Sequence, residues 1–240
     1  MHLYFIRHGQ SENNAIWANT GSDQGRSHDP QLTQIGKEQA EFLADYFKQS
    51  KDDLNQEKEA YPFHRPARLT HIYCSLMVRA VATGDVLAQA LHLPLLGSPD
   101  IFEEGGIYMQ DSESNEKIGL PGYGREYFRK NFPNLVWPES ANPAGWWSRG
   151  YELPEERPER ACKVLKNILE MHGGSDDRVA LISHGGFYNS FMKELIGIRE
   201  RDQLWFTLNN TGVTRINFEA DWVQLSYCNR TDFLPDWLLT

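Results

Sequence analysis

The chain opens with Leu3-Tyr4-Phe5-Ile6-Arg7-His8-Gly9, in which four apolar or aromatic residues lead into a cation, an imidazole and a glycine. A short apolar run that ends at a glycine is typical of a buried β-strand. Ligands of open α/β sheets bind beyond the carboxyl ends of the strands. The run therefore predicts that Arg7, which fits a phosphate or carboxylate, and His8, a nucleophile or base, lie where a ligand binds. Since Arg-His-Gly is short enough to occur by chance, the rest of the chain has to supply its partners.

A chain of 240 residues can form one large domain or two small ones, and with 40% hydrophobic residues it can bury a large core. We predict a single domain that spans residues 1–240. The formal net charge is −9, from 24 basic and 33 acidic residues. Nucleic acids and anionic membranes are bound by clustered Lys and Arg, so we expect neither as a partner. Any anion site must be a local positive pocket in a negative protein.

The three cysteines, Cys74, Cys162 and Cys228, are odd in number and form no C-x-x-C motif. They predict neither a disulfide framework nor a zinc cluster, and we expect small buried hydrophobic residues in a reducing compartment. Arg7 interrupts the first apolar run, so that run matches neither a signal peptide nor a transmembrane helix. The expected location is the cytoplasm.

Apolar strand patterns alternate along the chain with helical periods, which predicts a three-layer α/β/α fold around a mostly parallel central sheet. Residues 11–30 are polar and are predicted to form a long loop, and the charged segment 50–66 to be a solvated excursion. Strands are predicted at 3–6, 69–74, 93–96, 179–182, 213–218 and 222–227, and helices at 33–47, 77–91, 155–171 and 187–196.

Glycines, prolines and aromatic residues are dense in segment 104–151. A structureless loop of this length is unusual in a compact domain, so we interpret the segment as a partly helical insertion that folds over the site as a lid. A peripheral subdomain with its own small core explains the pattern equally well. The aromatic residues and four cations of this segment are candidates for recognising a sugar phosphate, a nucleotide or a phosphopeptide; the cations are Arg125, Arg129, Lys130 and Arg149.

Three further positions carry chemistry that complements Arg7 and His8. Arg79 lies near the start of the helix at 77–91, Glu103 follows the strand at 93–96, and His184 ends the strand at 179–182. All are predicted at one edge of one sheet. A phosphate monoester carries about −1.5 to −2 charges at neutral pH, which two arginines nearly neutralise.

These residues stand in motifs that resemble the histidine phosphatase superfamily, in its phosphoglycerate mutase-like branch. The signature Arg-His-Gly-x-Ser-x-x-Asn is found at residues 7–14, in this chain Arg7-His8-Gly9-Gln10-Ser11-Glu12-Asn13-Asn14. The other matching segments follow in the family's order at 32–40, 75–83, 103–106, 183–186 and 209–214. The resemblance implies the phosphoglycerate mutase-like fold and covers most of the chain except the insertion.

The resemblance also implies a mechanism. His8 attacks phosphorus in line and forms a phosphohistidine, and it must be neutral to do so, which the neighbouring arginines favour. Arg7, Arg79 and His184 hold the phosphoryl oxygens. Glu103 protonates the leaving oxygen and then activates water.

Further assignments follow from the same resemblance. Asn14, Thr20 and Gly185 are candidates for contacting the phosphoryl group or the substrate. Glu104 is an alternative to Glu103 as the acid, although the spacing to the two following glycines favours Glu103. No metal and no cofactor are implied, because the arginines supply the positive charge. A homodimer is a possible assembly.

Three functions are open at this point. The first is a phosphatase acting on a small phosphorylated substrate, with phosphopeptides included. The second is a phosphoglycerate mutase, although His184-Gly185-Gly186-Phe187 departs from the His-Gly-Asn-Ser of mutases in this branch. The third is a non-catalytic protein that binds a phosphorylated ligand, and the presence of both His8 and Glu103 argues against it.

Overall fold

The central sheet of the molecule contains seven strands in the order β6-β3-β2-β7-β1-β8-β9. The computed structural model describes residues 1–49, 68–111, 113–198 and 203–240, so the predicted excursion at 50–66 lies outside the described residues. The strands are β1 His2–Arg7, β2 His71–Ser75, β3 Leu95–Ser98, β4 Tyr108–Gln110, β5 Lys117–Gly119, β6 Leu135–Val136, β7 Arg178–Ser183, β8 Val213–Phe218 and β9 Val223–Arg230. The helices are α1 Glu12–Thr20, α2 Gln34–Lys48, α3 Val78–Leu91, α4 Arg125–Asn131, α5 Arg157–His172 and α6 Gly185–Leu195.

Strand β1 is parallel to β7, and β7, β2, β3 and β6 continue the parallel part of the sheet. Strand β8 is antiparallel to β1, and β9 is antiparallel to β8. The register places Arg7 opposite Ser183, so the residues that follow β1 and β7 emerge side by side. This is the mostly parallel α/β/α architecture expected from the sequence.

The first strand is a continuous apolar run because both of its faces are covered. Tyr4 and Ile6 belong to the hydrophobic cluster that α2 and α3 contribute to. Leu3 and Phe5 belong to the opposite cluster, with α5 and α6. Burial on both faces is the usual reason why strands of parallel sheets show no alternation of polar and apolar residues.

The prediction of a loop over residues 11–30 is wrong for its first half, which forms helix α1. Ser11 caps the helix, and its hydroxyl and the Asn14 side chain form a capping box. No residue of α1 is buried, so the helix has no apolar period from which it could be recognised. Its sequence signals are the polar cap at Ser11 and Gly21, which ends the helix in the left-handed conformation.

Segment 104–151 contributes a β4–β5 hairpin, helix α4 and strand β6, which extends the central sheet beside β3. Phe128, Trp146 and Trp147 are buried in the same cluster as the residues of α2 and α3. That the segment closes over a substrate as a lid stays a prediction.

The three cysteines are free, but only Cys74 is buried, whereas Cys162 is half-buried and Cys228 exposed. The expectation of three buried thiols is therefore wrong for two of them. Across the described ranges, no helix combines the length and apolar character needed to cross a membrane.

Candidate active site

His8 lies immediately beyond β1 and is buried. Its Nδ1 lies 2.6 Å from the carbonyl oxygen of Gly9, and its Nε2 lies 3.1 Å from the Nε of Arg79. A carbonyl only accepts and a guanidinium only donates, so these bonds require Nδ1 to carry the proton and Nε2 the lone pair. Burial, followed by the charges of Arg79 and Arg7, holds the pKa of His8 well below its usual value. The geometry thus provides a neutral imidazole whose Nε2 keeps its lone pair, which accepts the Arg79 N–H.

His184 lies beyond β7, with its ring centroid 5.0 Å from that of His8. It is buried, and among the described residues neither of its ring nitrogens has a hydrogen-bond partner. Burial and then the charge of Arg79 hold the pKa of His184 well below its usual value. A buried polar group without a partner is costly, and a neutral imidazole offers one N–H donor to an incoming anion.

Arg7 and Arg79 bring two guanidinium groups to the two imidazoles. Arg7 ends β1 and donates to the carbonyl of Leu208 across 2.7 Å, while its buried Nε has no partner among the described residues. Arg79 lies in the first turn of α3, where the helix dipole adds positive potential. Together these groups form the local positive pocket that an anion site requires in a negative protein.

Asp29 is a buried member of the site that the sequence did not reveal. Its Oδ1 accepts from the backbone N–H of Val78 at 3.1 Å and lies 3.8 Å from Nη1 of Arg79. Burial raises the pKa of Asp29 to about 7, although the charge of Arg79 opposes the shift. A lone Asp in a polar segment has no pattern that distinguishes it from a surface residue.

Glu103 receives hydrogen bonds from three backbone N–H groups. Its Oε1 accepts from Glu104 at 2.9 Å and from Phe187 at 3.0 Å, and its Oε2 accepts from Gly186 at 3.3 Å. The last two are free N–H groups of the first turn of α6, which favours a negative charge there. A Cβ atom at Gly186 would overlap the Glu103 carboxylate, so this approach depends on a glycine.

Glu104, the alternative acid, is held differently. Nη1 of Arg157 donates to its Oε2 at 2.8 Å, and the hydroxyl of Ser190 donates to its Oε1 at 3.0 Å. Burial raises the pKa of Glu104, an effect that Arg157 opposes. The charge of Glu103 opposes the lowering of the pKa values of Arg7 and Arg79 by burial, whereas Glu104 is not a cause of either shift.

The structure brings two of the three remaining site candidates to this cluster. Asn14 accepts at 3.2 Å from the Asn210 amide, which also donates to the His8 carbonyl at 2.9 Å. Gly185 lines the cavity beside Arg7. Thr20 is exposed and bonds within the last turn of α1, to the carbonyl of Ile16 at 2.8 Å, and is not brought to the cluster.

A cavity of about 610 Å³ opens beside Arg7 and Glu103. Five aromatic residues stand in its wall: Trp17, Tyr108, Tyr151, Trp205 and Phe206. Tyr108 and Tyr151 belong to segment 104–151, whose aromatic residues are predicted to recognise the substrate, whereas sequence reasoning missed the other three because none belongs to a motif. The four cations proposed for substrate recognition are not among the lining residues. Two of them form ion pairs instead, Arg129 with Glu126 and Arg149 with Glu156.

Comparison with known proteins identifies the family of the chain. The sequence profile of the histidine phosphatase superfamily (branch 1) matches residues 3–231. The chain belongs to the histidine phosphatase superfamily. Its curated relatives include a probable phosphoglycerate mutase GpmB of Proteus mirabilis, 24% identical over 91% of this chain and 86% of the relative. Another, from Escherichia fergusonii, is 25% identical over 93% of this chain and 88% of the relative.

Solved structures of other proteins share the fold. A phosphoserine phosphatase of Entamoeba histolytica in complex with 3-phosphoglyceric acid superposes with a TM-score of 0.61 at 20% identity, covering 98% of this chain and 99% of its own. An alpha-ribazole phosphatase of Shigella flexneri superposes with a TM-score of 0.61 at 19% identity, covering 96% of both chains. The superfamily thus contains neighbours named as phosphatases and relatives named as mutases.

One group of potential metal ligands exists among the described residues of this superfamily member. His71, His172 and Asp177 have ligand atoms within 4.8 Å of one another. His71 begins β2, His172 ends α5 and Asp177 precedes β7. The group thus lies at the amino ends of these strands, whereas His8 and His184 follow carboxyl ends. His172 is satisfied without an ion, by Asp177 at 2.8 Å and the Tyr73 hydroxyl at 3.0 Å. The group is therefore explained as a hydrogen-bonded network that joins the two strands.

Proposed function

We propose that this protein is a phosphatase that hydrolyses phosphomonoesters through a phosphohistidine on His8, with no metal taking part. The observation that carries the proposal is the tautomer of His8. Its Nδ1–H is bound by the Gly9 carbonyl, so the Nε2 lone pair is directed into a buried cluster of cations and donors. Binding a phosphorylated ligand requires no nucleophile in that position.

In the first step, Nε2 of His8 forms a bond to phosphorus while the bond from phosphorus to the leaving oxygen breaks. Arg7, Arg79 and His184 stabilise the charge on the phosphoryl oxygens. A proton from Glu103 neutralises the leaving oxygen. In the second step water attacks phosphorus, Glu103 takes the water proton, and the N–P bond breaks to restore neutral His8.

Glu103 is favoured over Glu104 as the acid for two reasons. Its charge acts on Arg7 and Arg79, which supports a position of its carboxylate beside the phosphoryl group. The Glu104 carboxylate is instead engaged by Arg157 at 2.8 Å and by the Ser190 hydroxyl at 3.0 Å.

The test is to trap the intermediate. We expect mixing with a phosphomonoester, followed by an alkaline quench, to add one phosphoryl group to the intact protein by mass spectrometry. His8→Ala should remove this species, and Glu103→Gln should slow its hydrolysis. If His8→Ala still releases phosphate at the native rate, or no phosphoenzyme forms with any ester, the proposal is wrong.

A mutase is the second candidate, because the curated relatives are named as probable phosphoglycerate mutases. A mutase returns the phosphoryl group to a bound phosphoglycerate, whereas a phosphatase gives it to water. Adding excess phosphoglycerate to the trapped phosphoenzyme separates the two. Free phosphate as the product supports the phosphatase, and a bisphosphorylated product supports the mutase.

A further inference from the structure

Two exposed tryptophans line the cavity next to the phosphoryl site. Trp17, in α1, is 57% exposed, and Trp205, which precedes β8, is 63% exposed. They are 188 residues apart in sequence, yet both border the cavity that contains Arg7 and Glu103. Large exposed apolar side chains that converge on a concave site are typical of ligand-binding surfaces.

The two indoles have no partner rings among the residues that the structure describes. Within the described residues, neither stacks on an aromatic ring or lies beneath a cation. The tyrosines of the wall differ, because Tyr108 contacts Tyr151 edge to face at 4.7 Å and receives a hydrogen bond from Arg26 at 2.6 Å. Trp17 and Trp205 therefore offer ring faces for stacking, beside a wall whose tyrosines are already fixed.

The charges of the cavity wall indicate that the leaving group carries no second phosphate and no carboxylate. Arg7 and Arg157 are the cations among its described lining residues. Arg7 belongs to the phosphoryl site, and Arg157 is paired with Glu104. No cation of the wall is left for a second phosphate or a carboxylate, and Asp23 adds a negative charge to the same wall.

We propose that the cavity binds phosphomonoesters whose leaving group is uncharged and ends in an aromatic ring, which stacks on Trp17 and Trp205. This inference rests on the proposed function and names its substrate class. The cavity volume of about 610 Å³ falls within the range of small-molecule sites and exceeds the needs of a phosphoryl group alone. Burying the two indoles against a ring adds binding energy remote from the reacting centre, which can raise kcat/KM.

The test compares 2-phenylethyl phosphate with ethyl phosphate, whose leaving alcohols are of closely similar acidity. We expect kcat/KM to favour the phenylethyl ester about tenfold, a ratio typical of one aromatic contact plus its buried area. Trp17→Ala and Trp205→Ala should each lower that ratio about threefold or more. Phosphoserine, which carries a charged leaving group, should be a poorer substrate than 2-phenylethyl phosphate.

Trp222→Ala is the matched control. Trp222 is 54% exposed but lies outside the cavity, in the turn between β8 and β9, so its removal should leave the ratio unchanged. A native ratio near one, an equal fall in Trp222→Ala, or a preference for phosphoserine overturns the inference while leaving the phosphatase intact. Phosphate release that persists in His8→Ala instead overturns the proposed function itself.

Discussion

Arg79 donates its Nε–H to Nε2 of His8 across 3.1 Å, and both side chains are buried. A guanidinium in this position occupies the lone pair that would otherwise accept a proton. It also places a positive charge where imidazolium would form, which disfavours protonation. Arg79 thus holds His8 neutral. In the proposed mechanism the same N–H group would turn to a phosphoryl oxygen once Nε2 bonds to phosphorus.

The first prediction concerns the protonation of His8. In ¹⁵N-imidazole NMR spectra we expect His8 to remain the neutral Nδ1–H tautomer as the pH falls from 8 to about 5.5, below the usual pKa of about 6.5. In Arg79→Met the pKa of His8 should rise, since one of the two charges that lower it is gone while burial persists. The titration of His8 in the denatured protein serves as the reference for an unperturbed imidazole. Half-protonation of native His8 near pH 6.5, or no rise in the variant, would contradict this account.

The second prediction uses two adjacent glycines. A methyl group at Gly186 overlaps the Glu103 carboxylate, whereas one at Gly185 lies 3.6 Å from Nε of Arg7, an ordinary contact. Gly186→Ala should therefore displace Glu103 and lower kcat about 10²-fold, the lower range for losing a general acid. Gly185→Ala should cost at least tenfold less. Thermal unfolding checks that both variants fold, and equal losses in kcat would show that Glu103 is not positioned through Gly186.

Much of this architecture can be predicted from the sequence, for a physical reason. Strand β1 is buried on both faces, so its residues form an unbroken apolar run that ends at Arg7 and His8. Strand β7 repeats that pattern before His184. Since parallel strands present their carboxyl ends at one edge, the pairing of β1 with β7 brings the two imidazoles together.

The features that sequence reasoning missed all lack periodicity. Helix α1 buries none of its residues, so only its caps at Ser11 and Gly21 mark it. Asp29 acquires its role through burial against α3, and Trp17 and Trp205 converge on the cavity only after folding. Strand β6 is two residues long and gains its strand character by pairing with β3. Such features depend on tertiary contacts, which a local pattern does not encode.

The third prediction is a pH dependence of stability caused by Asp29. Its pKa is about 7 in the folded protein, against an ordinary value of 3.8, so between these values the folded state holds a proton that the unfolded state lacks. The free energy of unfolding should then fall as the pH rises through this window, by at most about 1.4 kcal/mol per pH unit. Asp29→Asn removes the titrating carboxyl group and with it this pH dependence of stability.

Urea denaturation of both proteins at pH 5, 6, 7 and 8 tests the prediction. The native protein should lose stability relative to Asp29→Asn up to about pH 7, and the difference should then level off. Because the other titrating groups are shared, the difference between the two proteins isolates Asp29. Parallel curves across the whole range would mean that Asp29 is ionised throughout.

The last prediction concerns the ion pair behind the Glu103 loop. Arg160 contacts the fully buried Glu152 through two bonds, of 2.5 and 2.7 Å, and also donates to the Phe102 carbonyl at 3.0 Å. Glu152→Gln leaves a buried guanidinium without its counter-charge, so we expect a loss of about 3 kcal/mol in urea denaturation. Glu126→Gln is the matched control, since its pair with Arg129 is largely exposed and should contribute nothing measurable. A loss for Glu152→Gln no larger than for Glu126→Gln would show that the buried pair does not stabilise this loop.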